Sequence, residues 1–239
     1  MFELEHIPAG QAIDVLKPGG WAGDQLIWAG ARNVLRQHGV AFRQFPSDCE
    51  ALACYHPSRY LYVYGSGGFC RWNCSLLTRL PPIFARYDLV TIMPSSFDTS
   101  YEPVARFLAE LHGGVTIYAR ERYSFKQARE CCQYPERVCL AHDTAFQFNF
   151  LPWIKPLGQG QGMLDDVRGR IAIREKVKSV KDLMQYVNDF ATVQTDRAHV
   201  AITAAMLRKP TRVYPGWYHK LRGIYEFSLA HMANVEFVA

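Results

Sequence analysis

No apolar run in this 239-residue chain approaches the roughly 20 residues a helix needs to span a bilayer. The opening residues, Met1-Phe2-Glu3-Leu4-Glu5-His6, carry neither the basic flank nor the apolar core of a secretory signal. The seven cysteines (49, 54, 70, 74, 131, 132 and 139) form no paired C-x-x-C framework. An odd count without a signal reads as reduced thiols, so the expected location is cytoplasmic. Cys70 and Cys74 can sit one helical turn apart, but a structural zinc site needs four ligands. Two small buried side chains are the simpler reading. The chain also lacks a G-x-G-x-x-G segment with a later ribose-binding acid, and it lacks G-x-x-x-x-G-K-[ST]. A nicotinamide site and a nucleotide-phosphate loop are therefore poorly supported. Internal repeats and low-complexity segments are absent as well.

What is present suits a globular α/β protein. Hydrophobic residues make up 49% and charged residues 21%, enough for a sizeable core in one large domain or two small ones. The net charge of +5 is not concentrated in a tail. It fits an acidic substrate, or contact with an anionic membrane surface, better than dedicated nucleic-acid binding.

Strand-like and helix-like segments alternate. Strands are predicted at residues 12–16, 61–64, 88–93, 115–118 and 138–141, with helices over 24–38 and 102–111 and another starting at Ser124. Gly39 is placed to end the first helix. Residues 152–162, rich in Pro, Gly and Gln, read as a linker or crossing loop. A shorter set follows: strands at 170–173, 191–194, 211–214 and 235–238, and helices over 180–187, from Asp196, and over 217–229. This pattern predicts mostly parallel sheets covered by helices, with ligands beyond the carboxyl ends of the strands. The expected division is a lobe of residues 1–151, a linker of 152–168 and a short lobe of 169–239.

The chemically suggestive residues all fall at predicted strand ends, which points to one shared cleft. Thr195-Asp196-Arg197-Ala198-His199 puts an acid, a cation and an imidazole at the start of a buried helix, where free N–H groups attract anions. Arg197 offers a planar fork for phosphate or carboxylate, and His199 a proton donor or a core histidine. The glycines of residues 19–23 allow close backbone approach and left-handed turns, and Asp24 can serve a ligand or cap the helix. Gly65-Ser66-Gly67-Gly68 can turn tightly or aim amides at an anion. Arg120 and Arg122 can meet phosphate or face solvent; Ser124 can cap a helix or donate to a ligand. Lys220 sits in an aromatic, basic stretch that is either a solvated face or aimed into a cleft, and Arg208-Lys209 reads as an ordinary basic turn.

Taken in order, these segments resemble the polysaccharide pyruvyl transferase family. Gly23-Asp24-Gln25-Leu26-Ile27-Trp28 with Gly30 is similar to its G-D-x-L-I-x-x-G segment, and Gly65-Ser66-Gly67-Gly68-Phe69 to its glycine-rich strand end. Met93-Pro94-Ser95-Ser96 resembles its P-Q-S turn, and Ala119-Arg120-Glu121-Arg122-Tyr123-Ser124 its A-R-D-x-x-S motif. His142-Asp143-Thr144-Ala145-Phe146 resembles P-D-x-A-F, and residues 195–199 resemble T-D-R-x-H. Lys209-Pro210 and residues 219–225 resemble its closing K-P and K-x-x-G-x-Y pattern. Trp21, Ser95, Glu121 and Val200 depart from the family's usual asparagine, glutamine, aspartate and glycine, and the chain is short for the family after residue 150.

The resemblance implies two Rossmann-like lobes of the GT-B kind, the second reduced. It implies transfer of pyruvate from phosphoenolpyruvate to hydroxyls of a saccharide or lipid-linked oligosaccharide as a ketal, without metal or organic cofactor. Arg120, Arg197 and Lys220 are then the expected phosphoenolpyruvate anchors, with Gly67, Gly68, Ser95 and Ser124 also substrate-binding. His199 is the expected general acid, and Asp24 or Asp143 orients or deprotonates the acceptor. A nucleotide-sugar glycosyltransferase on the same scaffold and a non-catalytic carbohydrate-binding relative are the alternatives.

Overall fold

The computed structural model describes residues 11–46, 57–71, 75–156, 160–169 and 173–239. Their contacts divide them into two units, one of residues up to 19 with 31–144, the other of 20–30 with 145–239.

The first unit holds strands β1 (Ile13–Lys17), β2 (Phe42–Pro46), β3 (Tyr60–Val63), β4 (Leu89–Ser95), β5 (Val115–Ala119) and β6 (Val138–Leu140). They form one sheet in the order β2-β1-β3-β4-β5-β6, every pair parallel. Sheets of this kind are covered on both faces, so a central strand such as β3 is buried at every position. The helices are α1 (Ala22–Gln37), whose first nine residues count with the second unit, α2 (Ser75–Phe84), α3 (Glu102–Ala109) and α4 (Arg122–Cys131). Phe69, Phe97 and Phe107 form an aromatic centre, with Phe69 4.8 Å from Phe97 and 5.7 Å from Phe107 between ring centroids. Strand order reverses between β1 and β3, the kind of switch point beside which open parallel sheets bind ligands.

The second unit holds β7 (Met163–Asp166), β8 (Thr192–Thr195), β9 (Thr211–Val213) and β10 (Val235–Phe237), parallel throughout in the order β10-β9-β8-β7. Its helices are α5 (Ile173–Lys176), α6 (Val180–Asn188), α7 (Ala198–Met206) and α8 (Lys220–Ile224). Ser179 and Asp182 close a capping box on α6. Seven residues of α7, from Ala198 to Ala205, are buried, so this helix shows little amphipathic patterning and lies in the core.

The predicted α/β alternation and parallel sheets are present. Gly39 ends α1 in the left-handed region at φ +66°. Several local expectations differ. β2 escapes a pattern search because it is an edge strand whose residues are mostly exposed. α2, which is not among the predicted helices, accommodates Pro81 and Pro82. The strand predicted to stop before Pro94 runs on to Ser95 through a register shift. α4 is capped by Glu121, whose carboxylate accepts from the Tyr123 and Ser124 amides, and not by Ser124. Within the stretch read as linker, residues 163–166 form β7: Leu164 and Asp166 point inward, and the paired acids disguise the alternation. Of the strand predicted at 170–173, Ile173 opens α5 and the other three residues lie outside the described ones. The helix predicted over 217–229 starts only at Lys220 and continues as a π-helical turn, Tyr225–Leu229.

Candidate active site

In the second unit the motif residues gather at the carboxyl ends of β7 and β8. Arg197 is the extended residue preceding α7, and its amide donates to Thr195 Oγ1 at 3.0 Å. This turns the guanidinium toward the end of the neighbouring strand. There Nε lies 3.2 Å from Asp166 Oδ1 and 3.0 Å from Oδ2. Asp166 is wholly buried, whereas the Arg197 side chain keeps 26% of its surface. Thr195 Oγ1 also donates to Asp166 Oδ2 at 3.4 Å. Burial raises the Asp166 carboxyl to about 6; Arg197 and Thr195 pull it down, and Asp196 pushes it further up. The acid inside the motif has another task. Asp196 Oδ2 accepts the amide of Arg168 at 2.9 Å, holding a residue at φ +53° just after β7.

His199 stands half-buried in the first turn of α7 against the backbone of α1. A Cβ added to Gly23 would lie 2.7 Å from His199 Nδ1, and one added to Gly20 would lie 2.6 Å from Asp24 Oδ2. These two glycines have ordinary φ. They are needed because a carboxylate and an imidazole occupy the space a side chain would take. Asp24, at the third position of α1, accepts the Trp21 amide at 2.9 Å, a cap that reaches back along the chain. Trp21 Nε1 in turn donates to Val177 O at 3.0 Å. Lys220 begins α8 with Nζ 5.3 Å from the Tyr218 ring centroid.

The first unit gathers a different set at its strand ends. Arg120, after β5, is fully buried; its Nε donates to Ser96 Oγ at 2.8 Å and its Nη1 meets Asp143 Oδ2 at 2.7 Å. Ser95 Oγ donates to Met93 O and accepts the Ser66 amide. Gly68 N donates to Ser66 Oγ at 2.9 Å, and Gly67 O accepts from Cys70 Sγ. Ser124 Oγ accepts from Phe97 N and donates to Phe97 O. Of the residues expected to meet substrate here, Arg120 and Asp143 bond to each other, and Ser95, Ser124, Gly67 and Gly68 bond to neighbouring turn residues, in a largely buried frame tying the ends of β3, β4, β5 and β6 together.

Two residues stand apart from their sequence reading. The sequence does not single out Asp166, whose only signal is the acid pair Asp165-Asp166, three residues short of Gly169. Lys209, read as part of a basic turn, is buried and donates to Asn188 O at 3.3 Å, at the end of α6, and to Phe190 O at 2.8 Å, just beyond it. Burial lowers its pKa. Four cysteines among the described residues are free thiols, Cys70 among them; Cys74 lies outside the described residues.

Parallel strand–helix units with polar and ionisable residues at their carboxyl ends define a Rossmann-like α/β protein. The sequence model for polysaccharide pyruvyl transferases matches residues 22–216, from the start of α1 to just short of Lys220. The chain belongs to the polysaccharide pyruvyl transferase family, and so to the transferases. Among solved structures, that of an uncharacterized protein from Klebsiella pneumoniae subsp. pneumoniae aligns with a TM-score of 0.79 at 18% identity. The alignment covers 95% of this chain and 93% of that one, a likeness of fold alone. No curated protein matches significantly. No helix among the described residues is long and apolar enough to cross a membrane.

Proposed function

We propose that the chain transfers the pyruvate unit of phosphoenolpyruvate to two hydroxyls of a saccharide, as a ketal, in cell-surface or exopolysaccharide synthesis. The observation that carries this reading is Arg197, locked by the buried Asp166 and two residues from His199, in a chain of this family. A guanidinium fixed through Nε is pre-oriented for an anion, which lowers the entropic cost of binding. Phosphoenolpyruvate carries a phosphate and a carboxylate, and Lys220 serves as a second cation.

The chemistry balances without a cofactor. His199 gives a proton to the methylene carbon, which becomes the methyl group. One sugar hydroxyl adds to the adjacent carbon and releases its proton, with Asp24 orienting it. The second hydroxyl displaces the phosphate and closes the ketal, its proton leaving on the phosphate as hydrogen phosphate, while the first hydroxyl's proton restores His199. A positioned acid contributes on the order of 10²–10⁴-fold. The Arg120–Asp143 pair, with Ser95, Ser124, Gly67 and Gly68, keeps the first unit's strand ends in shape for substrate. In this reading the two units are the lobes of a GT-B-like enzyme working in the cytoplasm, with peripheral contact to the inner membrane surface where the acceptor is lipid-linked.

Thermal shift tests the donor. Phosphoenolpyruvate should raise the melting temperature and nucleotide sugars should not. Stabilisation by a nucleotide sugar instead points to a glycosyltransferase, and stabilisation by oligosaccharide alone to a binding protein.

A further inference from the structure

Trp217 exposes 91% of its surface, more than any other large apolar side chain among the described residues. It stands in the connection that leaves the carboxyl end of β9 and enters α8. β9 runs parallel to β8, so this connection emerges on the same edge of the sheet as Arg197. The two stretches are stitched together: the Tyr214 amide donates to Thr195 O at 2.9 Å, and a Cβ on Gly216 would lie 3.6 Å from Asp196 O. Adjacent Cα atoms are about 3.8 Å apart, so Trp217 begins within roughly 10 Å of the residue preceding Arg197. Its neighbours are half-buried and face one another, with the Tyr218 and His219 rings edge to face at 5.1 Å.

The geometry points to Trp217 as a stacking platform for one sugar ring of the acceptor, beside Arg197. The C–H face of a pyranose is apolar and matches an indole in size, while its hydroxyls stay in water; the electron-rich ring face attracts those polarised C–H groups. A protein partner or a membrane calls for a contiguous apolar patch of several hundred Å². Among the described residues no other exposed large apolar side chain lies in this connection, and Tyr123 belongs to the first unit. Met163 opens β7 and so lies at the opposite edge of the sheet, and Leu151 belongs to a separate turn. Trp217 falls one residue beyond the family match. The choice of saccharide as occupant rests on the pyruvyl-transfer reading.

The test is binding of the whole protein to an array of immobilised oligosaccharides of glucose, galactose, mannose and N-acetylhexosamines, comparing wild type with W217A and W217F. Wild type should bind a subset of the array. W217A should bind the same subset about tenfold more weakly or worse, and W217F should fall between. All three should melt alike and respond alike to phosphoenolpyruvate, because the side chain is exposed. Equal array binding by wild type and W217A overturns the proposal. So does an array on which wild type binds nothing, or a W217A defect confined to anionic phospholipid vesicles. If phosphoenolpyruvate stabilises no variant while sugar binding still depends on Trp217, the platform stands and the pyruvyl-transfer reading falls.

Discussion

Arg197 Nε sits 3.0 and 3.2 Å from the two carboxylate oxygens of Asp166, a residue contributed by the neighbouring strand. The carboxylate is buried and the arginine partly open, so the buried partner fixes the direction of the exposed one. In the proposed function, donor binding therefore depends on a residue that need not touch the donor.

Removing that partner should therefore weaken donor binding. D166A is expected to raise the KM for phosphoenolpyruvate on the order of tenfold, with a smaller effect on kcat. R197K should lose more than its retained charge suggests, because an ammonium has no planar fork to be held through Nε. Steady-state kinetics of both variants check this; a D166A enzyme with wild-type KM would remove Asp166 from the positioning role.

Asp166 also sets a pH signature. Its carboxyl is raised in the folded protein to about 6, above the unfolded value, so the folded state holds this proton more tightly. The resulting stabilisation is fully present below the unfolded pKa and is lost as pH rises through about 6. The D166N variant has an amide there, which does not titrate. The melting temperature of wild type minus that of D166N should fall between about pH 4 and pH 7 and level off above. A difference that grows with pH contradicts the raised value.

Gly23 faces the His199 ring with no room for a methyl group. G23A should push the imidazole aside and lower kcat by about 10- to 100-fold, since displacements near 1 Å carry costs of that order. The phosphoenolpyruvate-induced thermal shift should survive, because Arg197 is held elsewhere. Unchanged kcat in a folded G23A protein would mean that His199 need not occupy its observed position.

Arg120 and Asp143 form a fully buried ion pair. D143A strands a buried cation and should cost roughly 3–5 kcal/mol, seen as a lower midpoint in urea unfolding. The double variant R120M/D143L, which removes both charges, should recover much of that loss. If D143A melts like wild type, the pair is not the frame of the first unit's strand ends.

The sequence pattern carries the parallel α/β scheme well, because buried parallel strands are continuous apolar runs and their helices end at residues such as Gly39. It carries the site less well. Arg197 and His199 announce themselves by chemistry, but Asp166, the partner of Arg197, lies some thirty residues upstream, where two acids and flanking glycines look like a loop. Only the β7–β8 pairing brings it to Arg197. Asp196 is the natural candidate for a brace, yet its carboxylate serves the Arg168 amide. The glycines around the start of α1 read as places of close approach, and they are, but what approaches Gly20 and Gly23 is the protein's own Asp24 and His199. Lys209 shows the same limit, since its burial depends on where α6 ends.

The central claim is the chemical one, and it can be observed directly. Wild-type protein incubated with phosphoenolpyruvate and an acceptor oligosaccharide should release inorganic phosphate in step with a new ketal methyl singlet in the proton NMR spectrum. H199A should slow both by about 10²-fold or more. Phosphate release without a ketal methyl, or H199A turning over at the wild-type rate, would contradict the account.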